Sequence, residues 1–309
     1  MQKSAQTARA YDILALDLDG TVLGPGGTVS DANIAAIGRA REAGLRVTIC
    51  TGRGLIESTH ILDAIDQREP VVVAGGSILA EPTTGNTIHR FAMDPRLIAE
   101  SVDVIVDAGF PALVLKDPAA AGYDYAVVTG NPPRPLDPVT EWWFATLKCR
   151  VRLIPTLDDD EHPEHTVRVG ACARERDMHA LADALQSIAA ERGTYQHFGA
   201  VVAPDEAMQG VEGDGDRVDI LEVFDAQANK WNAIEWLAAE WGLLDDTRRP
   251  RVAAIGDEVN DVEMIQSATC GIAMGNAVPA VKSVANHIST ANSEDGVAHA
   301  IDAILDRRW

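Results

Sequence analysis

The sequence is short of positive charge, of cysteine and of long apolar runs, and each shortage removes a class of function. Against 47 aspartates and glutamates stand only 26 lysines and arginines, a formal net charge of −21 at pH 7. No long basic stripe offsets that balance, which excludes general binding to nucleic acid or to an anionic membrane surface. An acidic chain can still bind a phosphate, but only through a local cluster of cations or backbone N–H groups. The four cysteines, Cys50, Cys149, Cys172 and Cys270, lie scattered in apolar segments with no C-x-x-C pair. That pattern reads as buried free thiols in a reducing compartment. The first residues lack the apolar core of a secretory leader and no run approaches membrane-spanning length, so a cytoplasmic setting is the expectation. The eight histidines show neither triad nor zinc spacing, and no internal repeat or low-complexity tract is evident. What is left is a globular composition, 309 residues long, enough for one large or two ordinary domains.

Residues 13–21, ILALDLDGT, are the stretch around which the rest is organised. Ile13, Leu14, Ala15 and Leu16 have the length and composition of a strand buried on both faces. The run ends in Asp17-Leu18-Asp19-Gly20-Thr21. Asp17 and Asp19 are two apart, so on extended backbone their side chains leave the strand end in the same direction. Gly20 permits a sharp turn that brings backbone N–H groups near whatever the carboxylates hold. Two carboxylates at a buried strand end repel unless a cation or a shared proton relieves them.

The chain then alternates strand and helix. A helix is predicted over 31–43 with Ser30 as N-cap and Gly44 as its stop. A strand follows at 45–50, then Thr51-Gly52-Arg53-Gly54, a helix over 55–66 and a strand at 71–74 closed by Gly75-Gly76. This rhythm means right-handed βαβ units and a parallel sheet, with ligands at the carboxyl ends of the strands. From 78 the rhythm changes. A hairpin is predicted over 78–91, a helix at 95–108, strands at 112–116 and 123–129, and a short aromatic helix around Trp142, Trp143 and Phe144. Strands at 149–154 and 166–172, a helix at 176–191 and strands at 195–203 and 217–224 complete an α+β block. The acidic run 158–165 reads as a solvated loop, and Gly213 to Asp216 as a hairpin tip. The α/β rhythm returns with a helix from Lys230 to 241, a strand at 252–255 running into Gly256-Asp257-Glu258-Val259-Asn260-Asp261, a strand at 271–274 and a closing helix from 295. The expected fold is α/β: a doubly wound parallel-sheet core, residues 1–91 and 225–309, carrying an inserted α+β domain, residues 92–224.

Polar residues of one kind gather at the core strand ends. Asp17, Asp19, Asp257 and Asp261 make an oxygen-rich site suited to Mg²⁺. Thr51, Gly52 and nearby N–H groups can hold an anion, and Lys230, opening a helix, adds a fixed positive charge. Carboxylates, a hard metal, an anion cradle and a lysine together suggest phosphoryl transfer, where catalysis is mostly positioning and charge neutralisation.

Taken in order, the motifs D17-L-D-G-T21, T51-G-R53, K230 and G256-D-E-V-N-D261 resemble those of the haloacid dehalogenase superfamily of phosphohydrolases. The insertion between the second and third motifs, with 271–277 (GIAMGNA), Lys282 and 293–298 (SEDGVA), is similar to its Cof-type (IIB) branch. The resemblance covers most of residues 11–91 and 230–305. It implies that Asp17 is the nucleophile forming an aspartyl-phosphate and that Asp19 is the general acid and base, its backbone carbonyl also meeting Mg²⁺. It further implies Asp257 and Asp261 as metal residues, Thr51, Gly52, Lys230 and Asn260 at the phosphate, and Arg53 as a substrate contact. The family commonly has Asn-Gly where this chain has Ala74-Gly75-Gly76. The implied activity is hydrolysis of a small phosphate ester, such as a sugar phosphate or phosphorylated cofactor, by a monomer or small homo-oligomer with the insertion as a cap. A phosphosugar mutase uses the same parts, and a non-catalytic sensor of a phosphometabolite is the reading of another class.

Overall fold

The computed structural model describes residues 9–199 and 218–309. The chain divides into two compact units: residues through Thr51, His60–Val72 and Lys230–Trp309 form one, and Gly52–Thr59 with Val73–Asn229 the other.

In the first unit, five parallel strands hydrogen-bond in the order His287–Ile288, Cys270–Ala273, Val252–Gly256, Ile13–Leu16, Arg46–Ile49. A parallel bridge from Cys50 to Val72 continues the sheet to the segment at 71–73. Counted along the chain, that is the order 3-2-1-4-5-6 of a doubly wound sheet, in which the strand order reverses between the first and fourth strands. Those two strands are Ile13–Leu16 and Val252–Gly256, paired from Ile13 with Val252 to Leu16 with Ile255. Both are fully buried along their length, as their unbroken apolar composition demands. Complete burial of side chains such as Leu14 and Leu16 stabilises by roughly 1.5–3 kcal/mol each. The Asp31–Glu42 helix starts where expected, with the Ser30 hydroxyl accepting the Asn33 N–H at 3.2 Å, and packs on the closing Gly296–Leu305 helix. Buried Asn33 ties that pair down, its carbonyl accepting the Ala298 N–H at 2.9 Å.

The second unit is built on a six-stranded sheet in the order Gly193–Gly199, Val218–Asp225, Thr166–Arg174, Ala112–Lys116, Tyr125–Val128, Val151–Ile154. All neighbours are antiparallel except the last two, which run parallel. One face carries Val114, Ala126, Val169, Ala171 and Val223 and forms a core with the Pro95–Asp107 and Glu175–Arg192 helices. The opposite face carries Tyr125, Arg168, Glu222 and Phe224, with the rings of Trp143 and Phe144 from the Pro138–Thr146 helix packed on Tyr125 at 5.7 and 4.8 Å. Trp143 and Phe144 thus pack on the sheet of this unit, with Phe144 buried. A buried ion pair joins Lys116 to Asp160, whose other oxygen accepts from the Tyr123 hydroxyl at 3.0 Å.

Element types follow the sequence reading closely. Among the described α-helices and strands, two short elements escaped it, the Pro118–Ala121 helix and the His287–Ile288 edge strand, each too short to develop a periodicity. The Gly213 to Asp216 tip and residues 200–203 and 217 of two expected strands lie outside the described residues. No described helix is long and apolar enough to cross a membrane.

Candidate active site

The first strand delivers Asp17 to the carboxyl edge of the sheet, its N–H making the last ladder bond to the Ile255 carbonyl at 3.0 Å. The backbone then leaves through Asp19 (φ −74°, ψ 122°) and Gly20 (φ 76°), a left-handed turn that favours glycine. A Cβ on Gly20 would stand 2.1 Å from Asp257 Oδ2, so the glycine is also what admits the Asp257 carboxylate. That carboxylate comes from the neighbouring strand, Val252–Gly256. Its Oδ1 accepts from the Thr21 hydroxyl at 2.7 Å, and its Oδ2 from the Asn276 amide at 3.2 Å. Asn276 also donates to the Gly20 carbonyl at 2.8 Å, binding the turn to the carboxylate it accommodates.

Lys230 opens the Lys230–Glu240 helix with its side chain only 1 % exposed. Its ammonium donates to Asp17 Oδ1 and to Asp261 Oδ1, both at 2.6 Å. The other oxygen of Asp261 accepts the N–H groups of Asp257 and Glu258 at 3.0 and 3.1 Å, fixing the turn after the fourth strand. Lys230 thus bridges two carboxylates.

Four carboxylates against this lysine leave a strong excess of negative charge. Burial first, then repulsion from Asp261, Asp257 and Asp19, pushes the Asp17 carboxyl well above the usual range, with Lys230 opposing. Burial also pushes Asp257 up to about 7, although Thr21 favours its charged form. Burial alone would lower the Lys230 ammonium, but Asp17 and Asp261 outweigh it and raise it. One oxygen each from Asp17, Asp257 and Asp261 lies within 4.8 Å of the others. An all-oxygen set, held by glycine and strained by its own repulsion, fits a hard divalent cation such as Mg²⁺.

The remaining expected residues fall as follows. Thr51 is fully buried at the end of the adjacent Arg46–Ile49 strand, its N–H bonded to the Val72 carbonyl at 2.9 Å. Asp19 sits half-buried on the turn. The Asn260 side-chain oxygen is buried and has no hydrogen-bond partner among the described residues. Gly52 and Arg53 belong to the second unit, where the Gly52 carbonyl accepts from Arg168 at 2.9 Å and the Arg53 carbonyl from the Ala74 N–H at 2.7 Å. In place of the family's Asn-Gly, Ala74, Gly75 and Gly76 all take positive φ. A Cβ on Gly76 would meet the Asn229 backbone at 2.2 Å, so close packing against the residue before Lys230 accounts for glycine there. His162, Glu164 and His165 of the acidic run converge, but Glu164 is 61 % exposed and lies 3.3 Å from His165 Nε2, an arrangement that an ion pair explains. The sequence reading missed Thr21 and Asn276 as partners of Asp257; both lay inside quoted motifs, but nothing local marks a side-chain hydrogen bond between separate motifs, 236 residues apart for Thr21 and 19 for Asn276.

Comparison with known proteins finds relatives along nearly the whole chain. A pyridoxal phosphate phosphatase of Escherichia coli (strain K12) is 28% identical over 290 residues, covering 94% of this chain and 97% of that one. A 5-amino-6-(5-phospho-D-ribitylamino)uracil phosphatase of Bacillus subtilis (strain 168) is 25% identical, covering 93% and 94%. Among solved structures, a haloacid dehalogenase-like hydrolase from B. subtilis superposes with a TM-score of 0.70 at 21% identity, over 94% of this chain and 99% of that one. The family model of haloacid dehalogenase-like hydrolases matches residues 14–301, and the chain belongs to that family.

Proposed function

We propose that this chain is a Mg²⁺-dependent phosphatase that hydrolyses a small phosphorylated metabolite through an aspartyl-phosphate on Asp17. Its catalytic core is 1–91 and 225–309, and the inserted segment 92–224 selects the substrate. The observation that carries the reading is the buried Asp17–Lys230–Asp261 bridge beside Asp257. A site evolved only to bind phosphate would gather cations. Four carboxylates repel phosphate, and they make sense there if a metal neutralises some of them and others do chemistry.

In this mechanism Asp17, oriented by Lys230, contributes the oxygen that attacks phosphorus. Asp19 gives its proton to the departing ester oxygen, and the phosphoryl group rests on Asp17. The Asp19 carboxylate then takes a proton from the water that attacks phosphorus, which releases inorganic phosphate and restores Asp17. A positioned acid and base of this kind contributes roughly 10²–10⁴ in rate. Asp17, Asp257, Asp261 and the Asp19 carbonyl would hold Mg²⁺, which would supply charge neutralisation at the phosphoryl oxygens. Thr51, Gly52, Lys230 and Asn260 hold those oxygens, and Arg53 contacts the substrate.

The relatives act on pyridoxal phosphate, on a phosphoribitylamino-uracil and, in a Citrobacter koseri phosphatase 26% identical to this chain, on HMP-PP. Together with the family, they support phosphomonoester hydrolysis of small metabolites. The test is phosphate release from a panel of phosphorylated sugars, cofactors and nucleotides, with Mg²⁺ and with EDTA. Release that EDTA abolishes and Mg²⁺ restores is the expected result. Release from no compound, or release indifferent to EDTA, contradicts the proposal.

A further inference from the structure

A second buried polar cluster lies in the second unit, outside the carboxylate site. Arg168, 4 % exposed, pairs with Glu222 at 2.8 Å, donates to the Tyr125 hydroxyl at 2.8 Å and donates to the Gly52 carbonyl at 2.9 Å. The Tyr125 hydroxyl in turn donates to Glu57 Oε1 at 3.1 Å, and Glu57 Oε2 accepts the Gly54 N–H at 2.7 Å. Tyr125, Arg168 and Glu222 stand on the face of the sheet opposite the Pro95–Asp107 and Glu175–Arg192 helices: Tyr125 and Arg168 flank Leu115 of the intervening strand, and Glu222 lies two residues from Phe224, the partner of Arg168. All four side chains are buried.

Stability alone is a poor reason for such a cluster, because well-packed apolar residues of similar volume usually stabilise a fold as well or better. What the cluster does hold is backbone. Both of its ends fall on the turn 52–54, which follows Thr51. In a trans peptide C=O and N–H point in opposite directions, so fixing the Gly52 carbonyl on Arg168 also aims the Arg53 N–H. The next carbonyl, of Arg53, is held by the Ala74 N–H at 2.7 Å, and the Gly54 N–H is held by Glu57. Each successive group of the turn is thereby anchored.

We propose that Arg168 and Glu57, coupled through the Tyr125 hydroxyl, are positioning residues that set the backbone of the turn following Thr51 for the phosphate of the substrate. The inference rests on the phosphatase reading for the identity of the ligand, but not for the anchoring of the turn. Neither residue touches the reacting atoms in this role. Their effect passes through the Gly52 carbonyl and the Gly54 N–H.

The test uses the full chain with Tyr125→Phe, which removes only the coupling hydroxyl, and with Arg168→Met and Arg168→Lys. Hydrogen exchange by mass spectrometry reads the turn directly. Peptides spanning 52–58 are expected to exchange about tenfold faster in Tyr125→Phe, in line with the loss of the hydroxyl's two hydrogen bonds, while strand peptides of the same unit stay unchanged. Inorganic phosphate, as a competitive inhibitor of p-nitrophenyl phosphate turnover, reads the consequence. Its inhibition constant and KM should rise about tenfold in Tyr125→Phe and further in Arg168→Met, with partial recovery in Arg168→Lys and unchanged Mg²⁺ dependence. Unchanged exchange in 52–58 overturns the inference, as do variants that lose thermal stability while KM and phosphate inhibition hold. A wild type that turns over no phosphate ester contradicts the phosphatase reading instead, and the exchange experiment still decides the anchoring.

Discussion

Replacing Lys230 by methionine keeps the length and the buried stem of the side chain but removes the charge that joins Asp17 to Asp261. Each 2.6 Å contact is worth about 6 kcal/mol of Coulomb attraction at an effective dielectric near 20, before the cost of burying the charges. After that cost, breaking a buried pair by deleting one partner typically destabilises by about 3–5 kcal/mol, because the other charge is left uncompensated. The size of the loss depends on pH. Asp17 is held above its ordinary range and Asp257 is pushed up to about 7. Folding therefore takes up protons between the ordinary carboxylate range and these raised values, so the contribution of the site to stability falls as pH rises through that window. Lys230 limits the fall, and without it Asp17 is raised further. Lys230→Met is thus expected to cost about 3–5 kcal/mol at pH 8 and clearly less at pH 5, where protons discharge Asp17 and Asp257. Urea unfolding of EDTA-treated wild type and variant at the two pH values measures this. Phosphate release at neutral pH should fall by at least about 10²–10³, since a nucleophile that holds a proton does not attack and a fixed charge is lost. A destabilisation below about 1 kcal/mol at pH 8, or one equal at both pH values, refutes the electrostatic account of this site.

Two further perturbations probe neighbouring parts. Gly20→Ala forces a Cβ into the left-handed region and onto Asp257 Oδ2; it should cost about 1–2 kcal/mol and weaken Mg²⁺ binding by roughly 10–100-fold, read as loss of the Mg²⁺-induced rise in Tm. Glu222, pushed up by burial to about 7 despite Arg168, takes up a proton on folding and makes the protein less stable as pH rises from about 4.5 to about 7. Glu222→Gln removes that dependence, so the decline in unfolding free energy across this window should shrink, by on the order of 3 kcal/mol at most.

Much of this molecule could be read from its sequence because the candidate site residues sit where strands end. The run from Ile13 to Leu16 is buried on both faces, so its apolar continuity marks the strand, and Asp17 marks the edge of the sheet. The same logic found Thr51 and Asp257. Ser30 and Gly44 bounded a helix through local backbone chemistry, capping and positive φ, that a sequence displays directly. What stayed hidden depends on contacts between distant segments. Lys230 was expected at the phosphate, and nothing in its surroundings along the chain told that it would bridge Asp17 and Asp261. Thr21 and Asn276 hold the same carboxylate from opposite ends of the sequence. The cluster of Glu57, Tyr125, Arg168 and Glu222 draws one residue from a helix and three from separate strands, and strand periodicity marks only which face a residue takes, not its polar partners.

The central claim is that Asp17 carries the phosphoryl group, and the most direct measurement is phosphate release by Asp17→Asn beside the wild type, on the best substrate of the panel with saturating Mg²⁺. Asparagine keeps the shape and removes the attacking oxygen anion. The account predicts a fall of at least about 10³ in kcat with the fold intact by circular dichroism. Activity within tenfold of the wild type would contradict it and place the nucleophile elsewhere.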